Sequence, residues 1–206
     1  MEQTNASRKK TARHQRILTI ALDAFLENGY ANTSMATIAE RVGGSKGTLY
    51  NHVKSKEDLF LACIEFFLGS HSQKAFSAID SGGNPVEVLT KFCQFFLRAI
   101  LSKTDLALHR LVIAESERFP AIGRAFFFSG PEFGVKRLSG YISHAMEIGE
   151  LRKDDPMKAA RILLGLCQSG IYREVQFNVS PPPGAKKITA EAKDAVAVFM
   201  SHYASR

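Results

Sequence analysis

Apolar residues recur every three to four positions from one end of this chain to the other, and no stretch alternates as a half-buried strand does. The pattern predicts an all-α protein. Ile17, Ala21, Leu22 and Phe25 make the first stripe, and Gly29 fits a left-handed cap at its end. Thr33 or Ser34 caps a short second helix bearing Ile38, Ala39 and Val42. The pair Gly43-Gly44 stops it, since glycine leaves a helix at little steric cost. Ser45 caps a third helix holding Leu49 and Val53, which are expected in the core rather than on thymine methyls. Ser55 and Asp58 form a near capping box for a fourth helix with Leu59, Phe60, Cys63, Ile64 and Phe67 on its apolar side.

Asn84 as cap and Pro85 as first helical residue start a fifth helix, with Leu89, Phe92, Cys93, Phe96 and Ile100 as its stripe. A sixth begins near Thr104 and ends near Phe119-Pro120, and a short piece runs from Pro120 to Phe128 before Gly130-Pro131. A long helix then carries Leu138, Tyr141, Ile142, Ala145 and Met146. Asp155-Pro156 opens another, expected to continue through Ile162, Leu163 and Leu166 to Ile171. After the loop Pro181-Pro182-Pro183-Gly184, Thr189 caps a last helix with Ala192, Val196, Phe199 and Tyr203 on one face.

At 206 residues with 45% apolar and 23% charged positions, the chain can bury a real core and is not disordered as a whole. Cys63, Cys93 and Cys167 are odd in number and widely spaced, which suits neither a disulfide framework nor a zinc motif. They read as small buried apolar residues in a reducing compartment. Residues 1–16 are polar and basic, without the apolar centre of a signal peptide, and no run approaches the ~18 apolar residues of a membrane span. A cytoplasmic protein with no membrane partner is expected. There is no phosphate loop, no HExxH and no nucleophile constellation, and the six histidines lack metal-ligand spacing. An enzyme is not expected, and neither is a cofactor or a metal.

The net charge of +7 is uneven. Up to Lys56 there are nine basic residues (Arg8, Lys9, Lys10, Arg13, Arg16, Arg41, Lys46, Lys54, Lys56) against four acids, so +5 of it lies in the first quarter. A polyanion is the natural partner there, through phosphate neutralisation and counterion release. The informative stretch is TSMATIAERVGGSKGTLYNHVKSKEDLF, Thr33 to Phe60. Two short helices flank a Gly-Gly-Ser turn, which is helix-turn-helix punctuation, and the second helix of such a unit can enter the major groove. Lys46 stands at the start of the third helix, Gly47 leaves room for close approach, and the hydroxyls of Thr48 and Tyr50 suit phosphate oxygens. Asn51 can reach bases or backbone; His52 can do so or support the turn. Lys56 opens the fourth helix, where a cation opposes the helix dipole unless it shares a phosphate with that N-terminus.

This stretch resembles the TetR family of bacterial regulators. Thr33, Ile38, Ala39, Gly43, the run Ser45-Lys46-Gly47-Thr48-Leu49-Tyr50, and His52, Lys56, Glu57 and Leu59 carry the resemblance, with Ala24-Phe25 and Gly29-Tyr30 before them. Val53 stands where an aromatic is commoner, and Gly44 where an apolar residue is usual. The resemblance implies an all-α protein: a helix-turn-helix domain at residues 1–60, with the basic N-terminal tail, and a helical effector-binding and dimerisation domain at 61–206. It implies a ligand-responsive regulator, a repressor that binds a palindromic double-stranded DNA operator as a homodimer and is released by a small apolar effector. The DNA-facing set is then Thr33, Ser34, Ser45, Lys46, Gly47, Thr48, Tyr50, Asn51, His52 and Lys56.

Fifteen phenylalanines and no tryptophan suggest a core lined with rings. Phe67, Phe96, His109 and Phe127 are candidates for an effector pocket; ordinary core packing is the competing reading for each ring. Small residues in the helix from Asp155 (Ala159, Ala160, Gly165, Ser169, Gly170) allow close helix approach. With the last helix they make a four-helix dimer interface, as the family implies, or an internal core.

Overall fold

The computed structural model describes residues 2–44, 46–50, 53–79 and 83–205, with side chains from residue 11 onward apart from 46, 48 and 70–75. Every element among these residues is helical: α1 (Glu2–Asn28), α2 (Met35–Val42), α3 (Lys46–Tyr50), α4 (Lys56–Ile79), α5 (Pro85–Ile100), α6 (Lys103–Ser116), α7 (Pro120–Ser129), α8 (Pro131–Glu147), α9 (Pro156–Ser169), α10 (Ile171–Gln176) and α11 (Ala185–Tyr203). Extended pairing among them is limited to one bridge, Leu151 with Ala204. No helix described is long and apolar enough to cross a membrane.

The punctuation read from the sequence is visible as hydrogen bonds. Gly29 has φ +79°. Ser34 caps α2, its hydroxyl accepting from the Thr37 N–H at 3.1 Å. Ser55 accepts from the Asp58 N–H at 3.0 Å, and Asn84 from the Val86 N–H at 2.9 Å. Asp155 takes two orphan donors of α9, Met157 at 2.8 Å and Lys158 at 3.2 Å.

Three boundaries differ from the sequence reading. The basic tail is helical backbone, part of α1 from Glu2. The helix from Asp155 stops at Ser169, because Gly170 adopts φ −102° and ψ −115°. The Glu191 carboxylate accepts the Ile171 N–H at 3.2 Å and so caps α10 from another helix. A Cβ at Gly170 would displace that carboxylate from its place over the α10 start. The last helix begins at Ala185 rather than after Thr189. The earlier start adds Ile188, buried, to the stripe of Ala192, Val196, Phe199 and Tyr203.

The chain forms two compact units, with boundaries inside α4 and α6. Residues 1–70 and 107–129 make the first. Its core joins Ile17, Leu22 and Phe25 of α1, Ile38 of α2, Leu49 of α3 and Phe60 of α4 to Leu108, Val112, Ile122 and Phe126 of α6 and α7. Residues 71–106 and 130–206 make the second, in which α5 packs along α11, and α9 against α8, α10 and α11. Its core is built on Leu89, Phe92, Leu138, Ile142, Leu163 and Phe199. The three cysteines are buried and unbridged, and burial pushes the Cys63 thiol to about 12.

Asp105, in the first turn of α6, is a buried carboxyl, and burial raises it from 3.8 to about 7. The folded protein therefore holds this proton over a range in which the unfolded chain has lost it. Its contribution to stability is full below the unfolded value of 3.8 and is lost as pH rises through about 7. Urea midpoints of the wild type are expected to fall across that window, and Asp105→Asn to lack this part of the slope. Equal slopes in the two proteins would remove the assignment.

Candidate nucleic-acid interface

The turn between α2 and α3 is closed by the backbone. Gly43 has φ +76°, and its N–H bonds to the Glu40 carbonyl at 3.0 Å while the Gly44 N–H bonds to the Ala39 carbonyl at 3.0 Å. This pair of bonds satisfies the last carbonyls of α2 and turns the chain sharply. No atom within 4 Å would meet a Cβ at Gly43, so the backbone angle and not crowding calls for glycine.

α3 is anchored by one side and displays the other. Leu49 is 2% exposed in the first core, and Val53 is buried beside it, its N–H bonded to the Leu49 carbonyl at 3.2 Å. Gly47 is exposed, and so is Tyr50, at 48%. Lys46 and Thr48 lie on the same helix, with side chains outside the described set. Ser45, Asn51 and His52 lie outside the described residues. Arg13 and Arg16 are exposed on α1, while Arg41 is tied to Glu27 at 2.6 Å, joining α2 to α1.

Three candidate residues have internal partners: Ser34, whose hydroxyl caps α2, Thr33 and Lys56. Thr33 is 2% exposed, and its hydroxyl lies 2.7 Å from the Gly29 carbonyl and 3.2 Å from that of Ala24. It closes the corner between α1 and α2. Lys56 donates to the carbonyls of Tyr30 at 2.9 Å and Ala31 at 3.2 Å, with its ammonium 4.5 Å from the centre of the Tyr30 ring. Carbonyl oxygens and a ring face answer the cation that the helix dipole disfavours there.

Sequence reasoning used Tyr30 only as a motif position. Its ring packs on Phe25 at 5.7 Å and Phe60 at 5.1 Å and meets the edge of Phe119 at 4.9 Å, so it links α1, α4 and the start of α7. Burial, then Glu57 and Glu115, raise its phenol above the ordinary range. Its only signal in the sequence is an aromatic placed directly after a helix-ending glycine.

The four pocket candidates do not form one described group. Phe67 is buried in the first unit, where His109 stacks on Phe126 at 5.3 Å and Phe127 is exposed. Phe96 belongs to the second unit and stacks on Phe92 at 6.1 Å. Tyr141, read from the sequence as a member of the α8 stripe, has a buried hydroxyl with no hydrogen-bond partner among the described residues. Burial and then Glu150 push it to about 12. Among the described residues no group of three or more His, Cys, Asp or Glu could hold a metal ion.

Comparison with known proteins agrees with this geometry. Residues 17–63 match the family model of bacterial regulatory proteins of the tetR family, and 87–205 that of the AefR-like transcriptional repressor C-terminal domain. The transcriptional regulator UidR of Escherichia coli is 30% identical over 84% of this chain and 85% of its own length. A TetR-family regulator structure from Mesorhizobium loti superposes with a TM-score of 0.86 at 27% identity, covering 94% of this chain and 98% of that one. The flavonoid-responsive regulator FrrA gives 0.78 at 29% identity, covering 95% and 99%.

Tyr50 and Thr33 are expected to separate under mutation. Tyr50→Ala should weaken specific DNA binding about tenfold, the worth of one hydrogen bond to a charged phosphate, with unfolding unchanged. Thr33→Val should cost about 1 kcal/mol of stability by leaving helix-end carbonyls unmet. Lys56→Ala should lower both. Anisotropy titrations on an operator duplex, paired with urea unfolding, measure the two effects; wild-type affinity in Tyr50→Ala would remove that residue from the interface.

Proposed function

Because the chain belongs to the TetR family, and is a helix-turn-helix transcriptional regulator and not an enzyme, we propose that it is a cytoplasmic repressor. In this reading it grips a palindromic operator as a homodimer and is released by a small apolar effector. The observation that carries the DNA half is α3, anchored through Leu49 and Val53 with Gly47 and Tyr50 outward. Residues 1–60 act as the reading domain and 61–206 as the effector and dimer domain. Tyr50, with Lys46, Thr48, Asn51 and His52, meets phosphates and base edges; Ser34, at the start of α2, and Ser45 complete the DNA-facing set. Lys56 acts by holding the corner that presents α3, or leaves its carbonyls to meet a phosphate.

Two half-sites one turn of DNA apart require two α3 helices about 34 Å apart, which a dimer supplies. Exposed Ile162 and Gly165 on α9 and Val198 on α11 supply the apolar face for it. An effector that binds better to a conformer with another spacing lowers operator affinity by population shift. The flavonoid response of FrrA supports a small, largely apolar effector. The Tyr141 hydroxyl is its polar handle, since a buried donor without a partner is costly until something accepts from it.

The first test is footprinting on the DNA upstream of this protein's own gene, against excess random DNA at physiological salt. A protected palindrome is expected, and it then serves for effector screening. No preference over random DNA at that site or in a genome-wide selection would overturn sequence-specific regulation. For the handle, Tyr141→Phe should be at least as stable as the wild type without effector, because it removes an unmet donor. A clear loss of stability would mean the hydroxyl is already satisfied inside the protein.

A further inference from the structure

Phe177 is 77% exposed and Val179 76% exposed, yet both sit on a fixed turn. Asn178 between them has φ +60°, and its N–H bonds to the Val175 carbonyl at 3.0 Å. The Val179 N–H bonds to the Glu174 carbonyl at 2.8 Å, and the Ser180 hydroxyl donates to the Glu174 carboxylate at 2.9 Å. The backbone thus holds two large apolar side chains out into water, which a lone protomer gains nothing by doing.

The same unit carries a matching vacancy. Between α5 and α11 lies an open cleft of about 500 Å³, walled by Val86, Thr90 and Gln94 on one side and by Ala197 and Met200 on the other, with Val196 beneath. Its own Phe177 and Val179 do not occupy it, as their exposure shows.

We propose that Phe177 and Val179 of one protomer seat in the α5–α11 cleft of a second copy of this chain, and reciprocally. This rests on the homodimer reading above. A two-fold axis brings the two features together twice, so each protomer covers its partner's knob and fills its partner's cleft. The cleft borders the face already assigned to dimerisation: Ala197 lines it, and the next residue, Val198, is exposed beside it. The cleft rim is net positive, with Lys91 and Lys193 against Glu87, and Glu174 beneath the knob faces Lys187 at 4.0 Å.

The test is a double-mutant cycle on the full chain, read as the dimer dissociation constant by analytical ultracentrifugation. Phe177→Ala with Val179→Ala removes the knob; Ala197→Trp plugs the cleft. Both sites are exposed, and circular dichroism melts check that each variant folds. Each change should weaken the dimer about tenfold, and all three substitutions together no more than the worse of the two, since both remove one contact. Ile162→Asp with Val198→Asp serves as the control for the α9–α11 face. If the control dissociates the dimer while the knob and cleft variants do not, the dimer stands and this contact falls. Additive losses, or a loss from the knob alone, likewise overturn the pairing. A wild type that sediments only as a monomer overturns the dimer reading, and this contact with it.

Discussion

The burial of Leu49 is the interaction on which the reading end depends. A five-residue helix has no stability of its own in water, since nucleation consumes more conformational freedom than a turn of hydrogen bonds returns. α3 persists because Leu49 and Val53 are taken into a core supplied by longer helices. That fixes which side of α3 faces inward, and so leaves Gly47 and Tyr50 outside. The Gly43-Gly44 pair serves the same end by closing α2 with backbone bonds alone.

Around this lies a corner in which few groups are left unmet. Thr33 and Asn28 satisfy carbonyls at the end of α1, and Lys56 satisfies those just beyond it. Tyr30 fills the space between α1, α4 and Phe119. Interiors packed to this density transmit displacement rather than absorb it. Helix α7 and the part of α6 from Ala107 onward share this core with the first four helices.

The second unit is organised by two long contacts, α5 on α11 and α8 on α9. Its core leaves Ile162, Val198, Phe177 and Val179 outside. Isolated exposed apolar residues are ordinary; two on a pinned turn, in a unit that also has an unfilled cleft, are what the proposed pairing rests on.

Local chemistry made much of this legible from the sequence. The helices followed from apolar spacing, the caps at Ser34, Ser55, Asn84 and Asp155 from side chains that bond their own nearby backbone, within three residues, and the stop at Gly43 from glycine's access to left-handed angles. The helix-turn-helix was legible for the same reason, since its turn and its Leu49 anchor are local patterns. Where a distant group intervened, local rules failed. Glu191 caps the Ile171 N–H from twenty residues away, beyond the break at Gly170, and α11 starts before Thr189 with Ile188 buried. Thr33, Lys56 and Tyr30 acquired their partners only when α1, α4 and α7 met. By itself the sequence determined that the chain is helical, the ends that a local cap closes, and which stripe of each helix is apolar. The tertiary structure alone decided which stripes meet, because burial is not specific to a partner and any apolar face can cover another until shape and chain connectivity choose.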